Sequence, residues 1–140
     1  MKILVVEDQA VPRELMISVA QAAFPRATVW SAADLASGLR SAGKMENLDI
    51  VLLDLGLPDS EGLDGLLCFR ADFPQAKVVI VSSQDTPELI ADALDFGAVG
   101  FISKSLGIPG MMAALKVVAQ GGIYHPPGFA RPPSGRGTRA

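Results

Sequence analysis

Four places in this 140-residue chain set chemically capable side chains directly behind a short apolar run. Glu7 and Asp8 follow "ILVV", Asp54 follows "IVLL", Ser82 and Ser83 follow "VVIV", and Ser103 and Lys104 follow "VGFI". Two carboxylates about 4 Å apart repel by roughly 4 kcal/mol at an effective dielectric of about 20. Glu7, Asp8 and Asp54 gathered at one place would therefore call for a cation. A small set of hard oxygen ligands suits Mg²⁺, which keeps octahedral coordination and several waters, and Lys104 would add a second positive charge. A site of this kind suits phosphoryl transfer, where catalysis is mostly positioning and neutralisation of oxygen charge. A carboxylate can itself accept the group as an aspartyl phosphate, and Asp54, behind the middle run, is the candidate nucleophile.

Each residue also has a plainer reading. Asp8 could cap a helix, Asp54 could start a turn before Leu57-Pro58, Ser82 could sit at a helix entry, and Lys104 could be a surface lysine. The joint occurrence at four run ends is what carries information.

The elements that must position these residues can be read from periodicity. Apolar runs at Ile3 to Val6, Thr28 to Trp30, Ile50 to Leu53, Val78 to Val81 and Val99 to Ile102 are short and rich in β-branched residues. Continuous apolarity predicts strands of a parallel sheet, buried on both faces. Between them, Pro12 suits a first helical turn, with Leu15, Met16, Val19, Ala20, Ala23 and Phe24 on one face and Pro25 as a stop. Further helices are predicted over Ala33 to Ala42, Leu63 to Asp72, from Pro87 behind a Thr86 cap to Gly97, and from Ile108 to Ala119, with Met111, Met112, Leu115 and Val118 inward. This is a (βα)₅ alternation, which implies an α/β fold, a doubly wound three-layer sandwich with right-handed crossovers. In such sheets ligands bind beyond the carboxyl ends of the strands, where the four polar groups fall.

Composition narrows the function classes. The length suits one domain with a mostly aliphatic core. No stretch approaches the roughly 20 apolar residues of a membrane span, and the acids after Val6 interrupt the only signal-like start. The single Cys68 cannot make an internal disulfide, which fits a cytoplasmic location; it is read as packing. All fifteen acids lie between Glu7 and Asp95, an acidic body that argues against nucleic-acid binding by the domain itself. After Tyr124 the sequence becomes "HPPGFARPPSGRGTRA", with four prolines and three glycines. Residues 123–140 are therefore expected to be a Pro/Gly-rich linker or disordered tail. His125 lies there without a second ligand nearby, so no metal role is expected of it.

The segments "VVEDQ", "LLDLGLPDSEG", "VIVSSQD" and "GAVGFISKS", in this order and spacing, resemble the response-regulator receiver domain of two-component signalling, the CheY-like fold. The resemblance covers residues 1–122 and implies a flavodoxin-like parallel sheet of order 2-1-3-4-5. It also implies that Asp54 is phosphorylated by a sensor histidine kinase. Asp8, Asp54 and the carbonyl of Gly56 would hold Mg²⁺, with Glu7 as the outer acid. Ser82 would be the switch hydroxyl, Lys104 the phosphoryl-pairing lysine, Phe101 the aromatic rotamer switch and Gly62 a loop glycine. The output would be a change around the fourth helix, fifth strand and fifth helix rather than enzymatic turnover.

The sequence departs from the commonest pattern in three places. Glu7 stands where Asp is more usual and Ser82 where Thr is, and both changes should preserve function. Ser105 follows Lys104 where many receivers have a proline, often after a cis bond. A cis bond before a non-proline residue costs roughly 3 kcal/mol, so the loop is expected to be trans or strained.

"GFISKS" and "GGIYHPP" resemble the receivers of LuxR/FixJ/NarL-type transcriptional regulators. DNA would then be reached only through an output domain absent from this chain, with homodimerisation on phosphorylation left open. A stand-alone receiver acting by protein–protein contact is the alternative. Two rivals weigh less. An aspartate-nucleophile phosphatase would want an acid where Gly56 stands, and a flavin-binding module would want small polar residues where "EDQAVP" stands.

Overall fold

The computed structural model describes residues 1–133. The elements in chain order are β1 (Lys2–Val6), α1 (Ala10–Ala23), β2 (Thr28–Ala32), α2 (Leu35–Gly43), β3 (Ile50–Asp54), α3 (Asp64–Asp72), β4 (Lys77–Ser82), α4 (Pro87–Asp95), β5 (Gly100–Ser103) and α5 (Ile108–Ala119). All strand pairs are parallel and the sheet order is β2-β1-β3-β4-β5.

Alternation along the strands splits the core into two layers, because successive side chains point to opposite faces. Leu4, Val6, Val51, Leu53, Val78, Ile80 and Phe101 pack with Leu35, Leu66, Phe69, Ile90 and Ala93 of α2, α3 and α4. Ile3, Val5, Ile50, Leu52, Val79, Val81 and Ile102 pack with Met16, Val19, Ala20, Met111, Leu115 and Val118 of α1 and α5. This is the two-faced burial that the apolar runs imply, and it makes the inner strands a rigid platform.

β2 is the exception. Its apolar run alone predicts burial on both faces, but it is the edge strand beside β1, as the expected order 2-1-3-4-5 has it, and Trp30 is 40% exposed. Leu15, expected on the inner face of α1, is 39% exposed, while its neighbour Met16 is buried. α2 begins two residues later than expected. Asp34 has an extended backbone and accepts a hydrogen bond from the Ser37 amide at 2.7 Å, which makes it the N-cap. The predicted α4 start holds, with Thr86 accepting from the Leu89 amide and Pro87 in the first turn. The helix closes on Gly97 at φ +102°, a conformation that favours glycine.

The expected linker or tail falls partly outside the described residues, at 134–140. Of the rest, Tyr124 forms a parallel bridge with Gly100, Phe129 packs on the core, and Arg131 pairs with Asp95 at 2.9 Å.

Candidate functional site

Register places the polar residues. Val6 of β1 stands opposite Leu53 of β3, Asp54 opposite Val81 of β4, and Ser82 opposite Ser103 of β5. The residues that follow, Glu7 and Lys104, therefore emerge at the same level of the sheet as Asp54 and Ser82. They open on a cavity of about 360 Å³ whose lining includes Glu7, Asp8, Asp54, Gly56, Ser82 and Lys104. Gly62, at φ +53°, lies in the same wall. Every residue named from sequence for the site proper is thus brought together. Phe101 is apart from it, fully buried in the α2–α4 layer.

Within the cavity Lys104 Nζ donates to Glu7 Oε1 at 2.7 Å and lies 3.2 Å from Asp54 Oδ1. The other Glu7 oxygen accepts from the Gln9 amide at 3.1 Å. Both acids are deeply placed, Glu7 at 0% and Asp54 at 5% exposure. Burial pushes the Glu7 carboxyl above its ordinary range against the hydrogen bonds from Lys104 and Gln9, and the charge of Asp54 pushes the same way. For Lys104 burial opposes the charge, but the hydrogen bond to Glu7 and the attraction of Asp54 and Glu7 outweigh it, so its ammonium is held above the usual lysine range.

Carboxylate oxygens of Glu7, Asp8 and Asp54 lie within 4.8 Å of one another, a donor set that fits one hard cation. A Cβ at Gly56 would stand 3.4 Å from Asp54 Oδ2, an ordinary contact that puts this position directly beside the carboxylate.

Ser82 Oγ accepts from the Gln84 amide at 3.0 Å, which leaves its own hydrogen available to donate. The Lys104 amide donates to the Ser82 carbonyl at 2.9 Å, tying the ends of β4 and β5 together. The peptide between Lys104 and Ser105 is trans. The sequence singled out Ser103 beside Lys104 but not Asp85, the acid that steadies this loop with it. Ser103 Oγ, nearly buried, donates to Asp85 Oδ2 at 3.0 Å and lies 2.9 Å from Ser105 Oγ. The only signal for it was an acid in "SSQD" facing a serine-flanked lysine.

The class follows from these features: a five-stranded 2-1-3-4-5 sheet with an acidic pocket and a lysine at its carboxyl end. The chain belongs to the response regulator receiver domain family, whose model matches residues 3–116. That family consists of signalling switches whose partners are sensor histidine kinases and, through output domains, DNA.

Over 138 residues the chain is 38% identical to the glycerol metabolism activator of Pseudomonas putida, covering 99% of this chain and 62% of that protein. It is 28% identical to chemotaxis protein CheY of Listeria monocytogenes, covering 86% of this chain and 99% of that one. A LuxR family DNA-binding response regulator from Silicibacter pomeroyi superposes with a TM-score of 0.81 at 27% identity, over 92% of this chain and 99% of that one. The isolated REC domain of RcsB from Salmonella enterica serovar Typhimurium, solved with the phosphomimetic BeF3-, superposes with a TM-score of 0.83 at 15% identity, over 91% and 94% of the two chains. That last likeness concerns the fold alone. Among the described residues no helix is long and apolar enough to cross a membrane.

Proposed function

We propose that this chain is a phosphoacceptor switch in which Asp54 takes a phosphoryl group from a histidine kinase. The observation that carries the reading is the placing of Asp54. It ends the central strand inside a cavity, with Lys104 Nζ at 3.2 Å and the oxygens of Glu7 and Asp8 within 4.8 Å of its own. In the transfer an Asp54 oxygen attacks the phosphorus and an acyl–phosphate bond forms. The P–N bond to the donor histidine breaks, and its electron pair stays on the imidazole nitrogen, which takes up a proton. Lys104 stands where it can pair with a phosphoryl oxygen, and Ser82 where its hydroxyl can donate to another. Bound Mg²⁺ would neutralise oxygen charge during transfer, held by Asp8, Asp54 and the Gly56 carbonyl with Glu7 beside them.

The switching element we assign is Ser82 moving toward the phosphoryl group and Phe101 filling the vacated space, which repacks the surface of α4, β5 and α5. The output is proposed as transcriptional, in the cytoplasm, through a DNA-binding domain outside this chain. Likeness to the Pseudomonas putida activator, of whose length the chain spans 62%, supports that reading. A stand-alone receiver is the second reading, favoured by the match to nearly the whole of the Listeria CheY protein.

Incubation with acetyl phosphate and Mg²⁺, followed by intact-mass measurement, tests the assignment. A phosphate adduct is expected on the chain and absent from Asp54→Asn; an adduct that persists in that variant refutes it.

A further inference from the structure

The segment after α5 is built where its composition suggests slack. The Tyr124 amide donates to the Val99 carbonyl and the Phe101 amide to the Tyr124 carbonyl, each at 3.0 Å, so Tyr124 extends the sheet beside β5. The chain then turns at "HPPGF". Gly128 has φ +80° and the Phe129 amide donates to the Pro126 carbonyl at 3.1 Å, with Pro127 and Gly128 in the central positions of a turn that favours them. The rings of His125 and Phe129 close across it at 5.4 Å. Proline here lowers the entropy cost of ordering this shape, and glycine takes the positive φ without strain.

Two further contacts show where the segment goes. Tyr124 packs on the α1/α5 layer and Phe129 on the α2–α4 layer, so the segment passes around the β5 edge from one face of the sheet to the other. Arg131 Nη1 then meets Asp95 Oδ1 at the end of α4 at 2.9 Å. The residue it encloses is Phe101. The Phe101 amide is bonded to the strap, and its fully buried ring belongs to the cluster that Phe129 covers.

We propose that residues 124–131 act as a clip in cis: they hold Phe101 and the β5 edge in the resting packing and loosen when the Asp54 pocket is charged. This rests on the phosphoacceptor reading above. A sheet edge left bare is a template for a second chain, so the clip also keeps the β5 edge from pairing in the resting state. Coupling of this kind is reciprocal. If occupancy of the pocket weakens the clip, weakening the clip strengthens occupancy of the pocket by the same factor.

The experiment uses the full chain and two surface variants, Phe129→Ala and Arg131→Glu, with beryllofluoride and Mg²⁺ as the equilibrium probe of the pocket. Amide exchange at Phe101 and Tyr124 is followed by NMR, and the beryllofluoride affinity by titration. In the unvariant chain, saturating beryllofluoride should speed exchange at both amides by about fivefold or more. Each variant should show the faster exchange without the probe and bind the probe correspondingly more tightly. Absence of beryllofluoride binding overturns the phosphoacceptor reading and the coupling with it. Binding that leaves both amides equally protected, or variants whose affinity is unchanged while their exchange rises, overturns the clip alone.

Discussion

Replacing Lys104 with Met tests whether the site is neutralised from within. At an effective dielectric of about 20 the contacts at 2.7 Å to Glu7 and 3.2 Å to Asp54 amount to roughly 6 and 5 kcal/mol of gross attraction. Most of that offsets the cost of taking three charges out of water. What the variant loses is set instead by the carboxylates left behind in a buried site, a loss of about 3–5 kcal/mol when one partner of a buried pair is removed. Lys104 keeps 26% side-chain exposure and water can partly replace it, so we expect the low end, about 3 kcal/mol at pH 8 in the absence of Mg²⁺. The loss has a pH signature. Glu7 is already raised by burial and rises further without its ammonium, so the folded variant binds a proton that the unfolded chain gives up. Stability of the variant therefore recovers as pH falls through the raised Glu7 value toward the unfolded one. Adding Glu7→Gln should recover it at pH 8 as well. Urea unfolding at pH 8 and pH 5.5 for the parent, both single variants and the double variant reads all of this. A loss below about 0.5 kcal/mol, the upper size of an ordinary surface substitution, or a loss equal at both pH values and unrelieved by Glu7→Gln, refutes the reasoning.

In the parent chain, Lys104 contributes stability that is fully present below its unfolded pKa of about 10.4 and is lost as pH rises through its higher folded value; alkaline unfolding of Lys104→Met should lack that limb. The Ser37 hydrogen bonds hold the Asp34 carboxyl below its usual range, so its stabilisation of α2 is present above about pH 3.9 and lost as pH falls through the folded value. Circular dichroism of Asp34→Asn against pH should show a shallower acid limb; an identical limb contradicts the cap. Gly97→Ala forces a side chain into φ +102°, with its Cβ 2.7 Å from Arg70 Nε, and should cost more than about 1 kcal/mol by thermal unfolding. Phe101→Ala empties a fully buried site and should cost about 3–5 kcal/mol. Below its melting temperature it should still take phosphate from acetyl phosphate while failing to bind the partner selected by the phosphorylated form. Equal loss of both contradicts the switch assigned to Phe101.

The platform was legible in the sequence because it depends on a local rule. Four apolar residues in a row mean a strand covered on both sides, and whatever follows must emerge at the carboxyl edge. That reasoning located Glu7, Asp54, Ser82 and Lys104 without any pairing information, and register then made them neighbours. Apolarity alone overstated the burial of β2, because "TVW" carries the same signal at an edge as in the middle; the strand order implied by the resemblance is what places it at the edge. The start of α2 illustrates a second limit. Asp59 Oδ1 and Oδ2 accept from the Leu35 and Ala36 amides at 2.8 and 3.0 Å, so a residue 24 positions away completes the helix terminus that Asp34 begins. A local pattern cannot contain that partner. After Tyr124 the Pro and Gly content shows where turns fall but not which contacts the segment makes: Gly128 takes φ +80° in a turn, while Phe129 and Arg131 find partners far away in sequence.

The longer acid at position 7 gives the site its particular character. With one carboxylate oxygen on the Gln9 amide and the other on Lys104, Glu7 spans the distance between the first loop and the fifth strand, and so fixes the ammonium between two carboxylates. The resting pocket thus holds its own counter-charge. On the phosphoacceptor reading, an arriving phosphoryl group must draw Lys104 from carboxylates that already hold it, while any cation bound by Asp8 and Asp54 relieves the repulsion that keeps it there. Part of the free energy that separates the resting from the charged state then lies in one shared ammonium. The same ammonium follows Ser103, whose hydroxyl is anchored on Asp85 in the loop after β4. On the same reading, movement of Ser82 toward a phosphoryl group would reach that loop through the Gln84 amide on Ser82 Oγ, and Lys104 through Ser103.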